Sequence, residues 1–442
     1  MSPDLTVRGA ATEADATCSP FGARLNFRPQ GKSEKIAVSL LTGGGDKPYA
    51  FGLATALAAK GISLDMIAGS ELDCPEFHGR PGVEFHNLRG DQASKASVIR
   101  KAGRVLLYYI KLIAYAAHAK PTLFHILWNN KFELLDRSVL TLYYRLLGKR
   151  IILTAHNVNA GRRDSSDSLV NRLTLRMQYR LAQCIFVHTE KMKVELIEEF
   201  GIPDSRVRII PFGINNAVPR TTLTPAEARQ RLGLANADKT ILFFGNIAPY
   251  KGLEFLIKAF QQASRADQSY RLIIAGRPKH GEVYWQMIQQ EISASACKER
   301  ILLRPEFIPD AETEVYFKAA DVLALPYRHI YQSGVLFLAY SFGLPVIAAD
   351  VGSLRDEIVE GDTGFVFRPE DPADLAETIA RYFSSDLYGR LDSLRPMISE
   401  GARQRHSWEM VGDLTIEAYR QALCEARSGV KLGRRASDLP LA

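Results

Sequence analysis

The sequence predicts an α/β protein of two doubly wound domains that face each other across a cleft. Three observations predict it. Short apolar runs alternate with helical stretches almost throughout. The runs are nearly continuous in apolar residues, as strands of a parallel sheet covered on both faces are. A polar connection, residues 214–238, splits the 442-residue chain into halves of similar size, each large enough for a domain.

Taken in order, residues 1–34 are rich in Ala, Ser, Thr, Pro and Gly. They lack an apolar segment after a basic start, so they read as a disordered arm and not as a signal peptide. The first domain, 35–213, opens with "KIAVSLLT" (35–42), crosses Gly43-Gly44-Gly45-Asp46 and enters an Ala/Leu-rich helix stopped by Gly61. Its other strands are "SLDMIAG", "LFHILW", "RIILTAH", "CIFVHT" and "RVRIIPFG". The second domain, 239–405, repeats the pattern with "TILFFG", "RLIIAG", "ILLRPEF", "DVLALPY" and "PVIAAD". "VGSLRDEIVEGDTGFVF" reads as turn, helix and turn ending in a hairpin-like return. A closing helix is expected over 406–427 and a flexible tail over 428–442.

Apolar content of 46% and charged content of 24% are ordinary for a globular protein. The net charge of +7 fits anionic partners without choosing among nucleotides, nucleic acid and acidic membranes. Five scattered cysteines with no C-x-x-C argue for a reducing, cytoplasmic setting and against a zinc site. The longest apolar stretch, "VLLYYIKLIAYAA" (105–117), is broken by Lys111 and too short to span a bilayer.

Ligands of open parallel sheets sit beyond the carboxyl ends of the strands, so chemistry is sought in the loops there. In "FFGNIAPYKGLEFLIKAF" (243–260) an apolar strand stops at Gly245, crosses Asn246 and reopens at Lys251-Gly252 into an amphipathic helix. Such a loop aims backbone N–H groups at an anion, and Lys251 adds a compact, mobile positive charge suited to phosphate. The bland alternative is a turn with a solvated surface lysine. In "DVLALPYRHIYQSGVLFLAYSFG" a strand ends at Pro326 and Gly334 opens a helix, leaving N–H groups of Ser333, Gly334 and Val335 free for an anion. In the first domain His156 follows a strand directly, trailed by Asn157, Asn159, Arg162, Arg163 and Asp164. A strand-end histidine of this kind is either a satisfied structural residue or a ligand contact. The Gly43–Gly45 turn before a helix is weak evidence of the same type.

Over roughly residues 35–425, in order, these stretches resemble the retaining glycosyltransferases of the GT-B fold, family 4. "GNIAPYKG" resembles that family's donor loop, "QSGVLFLAYSFGLPVIAADVGSLRDE" its donor block, and "ILTAHNV" its strand-end histidine segment. The resemblance implies two Rossmann-like domains, acceptor-binding first and donor-binding second. It implies transfer of a sugar, with retention, from a UDP- or GDP-sugar to a saccharide or lipid-linked acceptor, in bacterial cell-surface polysaccharide or glycolipid synthesis. His156 and Lys251 would be catalytic. Gly245, Asn246, Gly252, Arg277, Gln332, Ser333, Gly334, Val335 and Glu357 would bind donor, and Gly44, Gly45, Asn157 and Arg162 would line the acceptor side. The family's donor block usually carries a glutamate pair; counting back from Gly343, those positions are Leu338 and Ile330. Other groups must then hold the ribose and sugar hydroxyls, among them Gln332, Tyr331, Arg277 and Glu357. A non-catalytic nucleotide-sugar-binding or scaffold protein is the alternative.

The chain has no Asp-x-Asp, so no metal and no cofactor is expected. Residues 95–120 carry Lys95, Arg100, Lys101, Arg104, Lys111 and Lys120 without an acid, interleaved with tyrosines. With "NKFELLDRSVLTLYYRLLGKR" they suit either an anionic membrane surface or the solvated rim of core helices. No nucleic-acid motif accompanies them.

Overall fold

The computed structural model describes residues 35–90, 98–163, 166–215, 218–279 and 282–435. The expected arm 1–34, Lys95, Asp164 and the last residues of the tail lie outside these.

Two parallel sheets form. The first half contributes β1 (Ala37–Leu41), β2 (Ser63–Ala68), β3 (Val83–Asn87), β4 (Leu123–Ile126), β5 (Arg150–Thr154), β6 (Cys184–Val187) and β7 (Val207–Ile209), in the order β3-β2-β1-β4-β5-β6-β7. The second half contributes β8 (Lys239–Phe244), β9 (Tyr270–Ala275), β10 (Ile301–Arg304), β11 (Val322–Leu325), β12 (Val346–Ala349) and β13 (Gly364–Phe367), ordered β10-β9-β8-β11-β12-β13. Apolar side chains pack on both faces of each sheet, which is why β4, β6, β11 and β12 are buried throughout. Strand order reverses between β1 and β4 in one sheet and between β8 and β11 in the other. Those switch points open crevices at the strands' carboxyl ends. The loops after β1, β4, β8 and β11 are therefore the ones the fold offers to a ligand.

Four elements differ from expectation. Gly364–Phe367 is not a hairpin return but a parallel edge strand, pairing Val346↔Gly364 through Ala349↔Phe367. The helical residues between Val351 and this strand form a single 3-10 turn, Arg355–Glu357. The edge strand β3 has no counterpart in the sequence reading: "VEFHN" is short and half polar, and one side of it is left unpaired. The polar connection contains its own helix, Pro225–Leu232, started by a Thr224/Glu227 capping box. Its Ala228 packs with Leu223 and Ala319, tying this part of the connection to the second half.

The last helix, Trp408–Arg435, runs beyond the expected boundary at 427. It crosses back to the first half: Val411, Ile416, Tyr419 and Ala422 share a core with Leu53, Leu57 and Ile152. The Tyr419 hydroxyl meets buried His125 Nδ1 at 2.6 Å, and Trp408 Nε1–H donates to the Ile214 carbonyl at 2.7 Å. No helix among the described residues is long and apolar enough to cross a membrane.

Candidate active site between the two sheets

The loop after β8 is held open by its own backbone. Gly245 (φ 100°) and Gly252 (φ 61°) take left-handed conformations. A Cβ at Gly252 would overlap the Pro326 carbonyl oxygen, so the loop packs directly on the end of β11. Ile247 N–H donates to Arg277 O at 2.9 Å, and Lys279 N–H to Ile247 O at 2.8 Å, pinning the loop to the end of β9. Pro249–Lys251 forms a 3-10 turn that swings Lys251 inward, and Gly252 caps the helix Leu253–Ala266.

Lys251 is accordingly neither mobile nor a solvated surface charge. Its side chain is buried, 6% exposed, between the faces of Tyr327 (5.2 Å) and Phe243 (6.0 Å). Among the described residues it has no hydrogen bond and no carboxylate partner. Burial holds its ammonium below the ordinary lysine range. The neighbouring cation, Arg328, is taken: Glu254 accepts from it at 2.5 Å. A Cβ on Gly245 would lie 3.0 Å from Lys251 Nζ and 3.6 Å from Val335 Cγ2. The glycine thus keeps a gap between the lysine and the start of the helix Gly334–Ser341. That helix has Ser333 as its N-cap residue with no side-chain cap, and its first N–H groups have no intrahelical acceptor. Gln332, next in the loop, carries a buried Oε1 without a partner. Gly245 and Val335 therefore border the uncompensated Lys251 charge, with Asn246 and Gly252 in the same loop and Ser333 and Gly334 at the same helix start.

A cavity of about 290 Å³ adjoins them, lined from the second half by Phe244, Phe307, Asp310, Gly334, Val335 and Leu338. The first half supplies Asp46, Pro48, Tyr49 and Phe212. Leu338, one of the positions where a glutamate is usual, is an apolar wall; the carboxylates here come from Asp46 and Asp310. Arg277 is exposed at the rim, its guanidinium 5.9 Å from the Phe307 ring. A larger cavity, about 710 Å³, opens beside Asp321 and Tyr388 at the amino ends of the strands. Its Arg229 is paired with Asp321 at 2.6 Å. Parallel-sheet topology favours the smaller cavity as the candidate site.

The first half presents a neutral, aromatic counterpart. His156 stacks on Trp128 with ring centroids 4.0 Å apart and 6° between planes, and meets Tyr49 edge-on at 4.6 Å. Trp128 in turn fills the space that a Cβ on Gly45 would need, so the Gly43–Gly45 turn and His156 close on the same ring. Gly44 lies against the Arg89 guanidinium. His156 Nδ1 is 3.0 Å from His188 Nε2, and His188 Nδ1 is 3.1 Å from the Ile210 carbonyl. Burial depresses both imidazoles, His188 to about 4 and His156 well below its ordinary value. His156 and Asn157 line a small cavity, about 130 Å³, with Trp128, Asn129 and Gln178.

Two expected residues are placed elsewhere. Arg162 does not enter the cleft. Its guanidinium makes a fork to Glu199 at 2.6 and 2.5 Å, and Glu195 lies 3.5 Å away, because Glu190–Phe200 presents both acids to it. Glu357 faces His406 at 3.4 Å and lines neither cavity of the cleft, since its 3-10 turn packs against the Tyr340 hydroxyl. The two halves touch nearby, where the Tyr331 hydroxyl donates to Glu195 of the helix Glu190–Phe200 at 2.9 Å. Trp128, Tyr49 and His188 were not singled out by the sequence reading. His188 had a signal: like His156 it is the polar residue just past a strand, β6.

One group of potential metal ligands occurs among the described residues: Asp65, Glu84 and His86, with ligand atoms within 4.8 Å of one another. It sits on β2 and β3, not at the strand ends that form the cleft.

Comparison with known proteins agrees with this architecture. The family model for Glycosyl transferases group 1 matches residues 238–385, and that for Glycosyltransferase Family 4 matches residues 43–218. A D-inositol 3-phosphate glycosyltransferase of Nocardia farcinica is 30% identical over 264 residues, 57% of this chain and 56% of the relative. Its namesake from Segniliparus rotundus is 25% identical over 396 residues, 86% of this chain and 85% of the relative. The chain spans about half the length of the first curated relatives it matches, 56% and 52%. Sucrose-phosphate synthase from Thermosynechococcus elongatus has the same fold at 20% identity, with a TM-score of 0.72 over 88% of this chain and 100% of that one. Anabaena Alr3699/HepE in complex with UDP-glucose gives a TM-score of 0.68 at 17% identity, over 88% of this chain and 100% of that one. With matched models covering most of both sheets, this chain belongs to the family 4, group 1 glycosyltransferases and has their two-domain GT-B fold.

Proposed function

We propose that the protein transfers a sugar from a nucleoside-diphosphate sugar to a saccharide or lipid-linked acceptor with retention of anomeric configuration. The observation that carries this is Lys251, a buried ammonium without a counter-ion, set beside an uncapped helix start and a glycine gap. A desolvated cation and convergent N–H groups suit a diphosphate, because each gains most when an anion replaces lost water.

In the reaction the bond from the sugar's anomeric carbon to the diphosphate breaks, and the acceptor hydroxyl bonds to the same carbon on the same face. The hydroxyl proton leaves with the departing phosphate oxygen. Negative charge grows on the diphosphate as the bond breaks, and Lys251 with the N–H groups at Ser333–Val335 stabilises it. The nucleoside occupies the cavity walled by Phe244, Phe307 and Leu338, where Asp310 is placed to accept from a ribose diol in lieu of a glutamate. The transferred sugar faces His156, and Asn157 lies on the acceptor side. No metal enters this scheme; activity persisting in excess chelator is the expected result, and activity restored only by magnesium or manganese contradicts it.

The acceptor reading rests on the exterior of the first half. Leu106, Leu107, Ile110 and Ile113 of the helix Val98–His118 are exposed, as are Phe132, Val139, Leu142 and Leu146 of the segment packed beside it. Lys101, Arg104 and Lys111 share this helix. An exposed apolar face with basic neighbours suits an anionic bilayer carrying a lipid-linked acceptor. Incubation with labelled UDP- and GDP-sugars and membrane extract tests the whole reading: product formation with retained configuration supports it, and donor binding without transfer or hydrolysis favours the scaffold alternative.

A further inference from the structure

Two imidazoles at the first half's strand ends form a directed chain whose protons can be assigned. The Ile210 carbonyl oxygen can only accept, so His188 Nδ1, 3.1 Å away, must carry a proton and donate to it. His188 is buried and neutral at ordinary pH, which leaves its Nε2 as a bare lone pair. That lone pair faces His156 Nδ1 at 3.0 Å, so His156 Nδ1–H is the donor. His156 is also neutral, and its Nε2 is then unprotonated. This atom is buried and has no partner.

We propose that His188 is a positioning residue that locks His156 in the Nδ1–H tautomer, so that His156 presents a hydrogen-bond acceptor to a hydroxyl group of the bound ligand. The lock has a stiff foundation. Ile210 N–H is itself bonded to Val187 O at 2.9 Å, so the carbonyl that orients His188 belongs to the end of the sheet. The His156 ring is fixed in plane by Trp128 and from the side by Tyr49, which leaves tautomer exchange as its main remaining freedom. In the other tautomer Nε2 would be a buried donor facing the hydroxyl's oxygen, and Nδ1 would face the His188 lone pair with its own. That arrangement loses a buried hydrogen bond and sets two acceptors together. The identity of the occupant as a carbohydrate hydroxyl rests on the transferase reading; the tautomer does not.

The test therefore reads the free protein. In protein labelled with 15N-histidine, with His156→Asn used for assignment, long-range proton–nitrogen correlation reports which ring nitrogen of His156 carries the proton. The wild type should show a protonated Nδ1 and a bare Nε2. His188→Phe keeps an aromatic ring against Tyr49 and Phe212 but cannot accept, so His156 should pass into a mixture of tautomers. His188→Gln places an amide oxygen near the position of Nε2 and should restore the wild-type pattern. A proton on His156 Nε2 in the wild type would overturn the proposal even if no variant folds. So would an unchanged His156 tautomer in folded His188→Phe.

Discussion

The two halves build the same crevice from the same parts and fill it with opposite chemistry. Each sheet reverses strand order at its centre, and each follows its first strand with a glycine turn and a helix. In the second half the turn holds a buried cation with no counter-ion, facing an uncapped helix start. In the first half the corresponding turn packs on the Arg89 guanidinium and on Trp128, which stacks on a neutral histidine paired with a second. The comparison teaches that topology chooses where a ligand goes, and a few strand-end side chains choose its charge. On the proposed function, an anion binds on one side of the cleft and a neutral hydroxylic group on the other.

The largest effect should come from removing the charge that distinguishes the halves. Lys251→Met should lower turnover on the order of a hundredfold, about 3 kcal/mol of stabilisation at the leaving group, and by more than it weakens donor binding. Lys251→Arg should not recover the rate, since a planar fork does not fit where a compact ammonium sits between Tyr327 and Phe243. Stability should not fall with activity, because a desolvated, unpaired ammonium costs the folded state. The sign in pH follows from burial. The folded lysine binds its proton less tightly than the unfolded one, whose value is near 10.5. Between the two values the unfolded chain holds more protons, so wild-type stability rises with pH there. The stability advantage of Lys251→Met should narrow as pH climbs toward 10.5, read by denaturant titration across that range. A Lys258→Ala control, on the exposed face of the following helix, should be near neutral in both assays.

Next in size is the glycine at the helix start. A Cβ on Gly334 would meet only the Phe212 ring, at 3.6 Å, so Gly334→Ala fits the empty protein. If a diphosphate approaches that backbone, the methyl group should raise the donor KM by roughly tenfold with no loss of Tm. An unchanged KM would place the anion elsewhere. In the same half, Asp310→Asn should weaken donor binding by several-fold, of the order expected when a charged acceptor becomes a neutral one, measured by calorimetric titration with the sugar nucleotide. The smallest effect concerns the exterior. Ile110→Asp, on the exposed face of Val98–His118, should reduce sedimentation with anionic vesicles, and added salt should reduce the wild type's too. Equal binding to neutral vesicles would remove the electrostatic part of that account.

Much of this was legible because parallel strands write themselves as short apolar runs, and because strand ends are the places where such a fold exposes backbone. The loop after β8 and the helix at Ser333 announce themselves by glycine position alone. What stayed hidden depends on tertiary contacts. Nothing in "APYKG" says that the lysine turns inward; that follows from the fit of Gly252 against Pro326. Arg162 reads as a free cation after a strand until the helix Glu190–Phe200 brings Glu195 and Glu199 to it. Glu357 likewise loses its candidacy to His406, a residue from the far end of the second half. Trp128 and His188 were written at strand ends too, but an apolar neighbourhood made them look like core. The edge strand β3 is half polar because one side of it is unpaired, so it lacks the pattern that gave away the others.

The central claim is that the second half's uncompensated lysine is the seat of a nucleoside diphosphate. Thermal unfolding of the wild type and of Lys251→Met, each with UDP, GDP and the matching nucleosides, tests it most directly, since a ligand that binds only the folded state raises Tm by mass action. At least one diphosphate should raise the wild-type Tm well beyond its nucleoside, and that excess should vanish in Lys251→Met. An equal rise in the variant, or no rise with either diphosphate, would contradict the account.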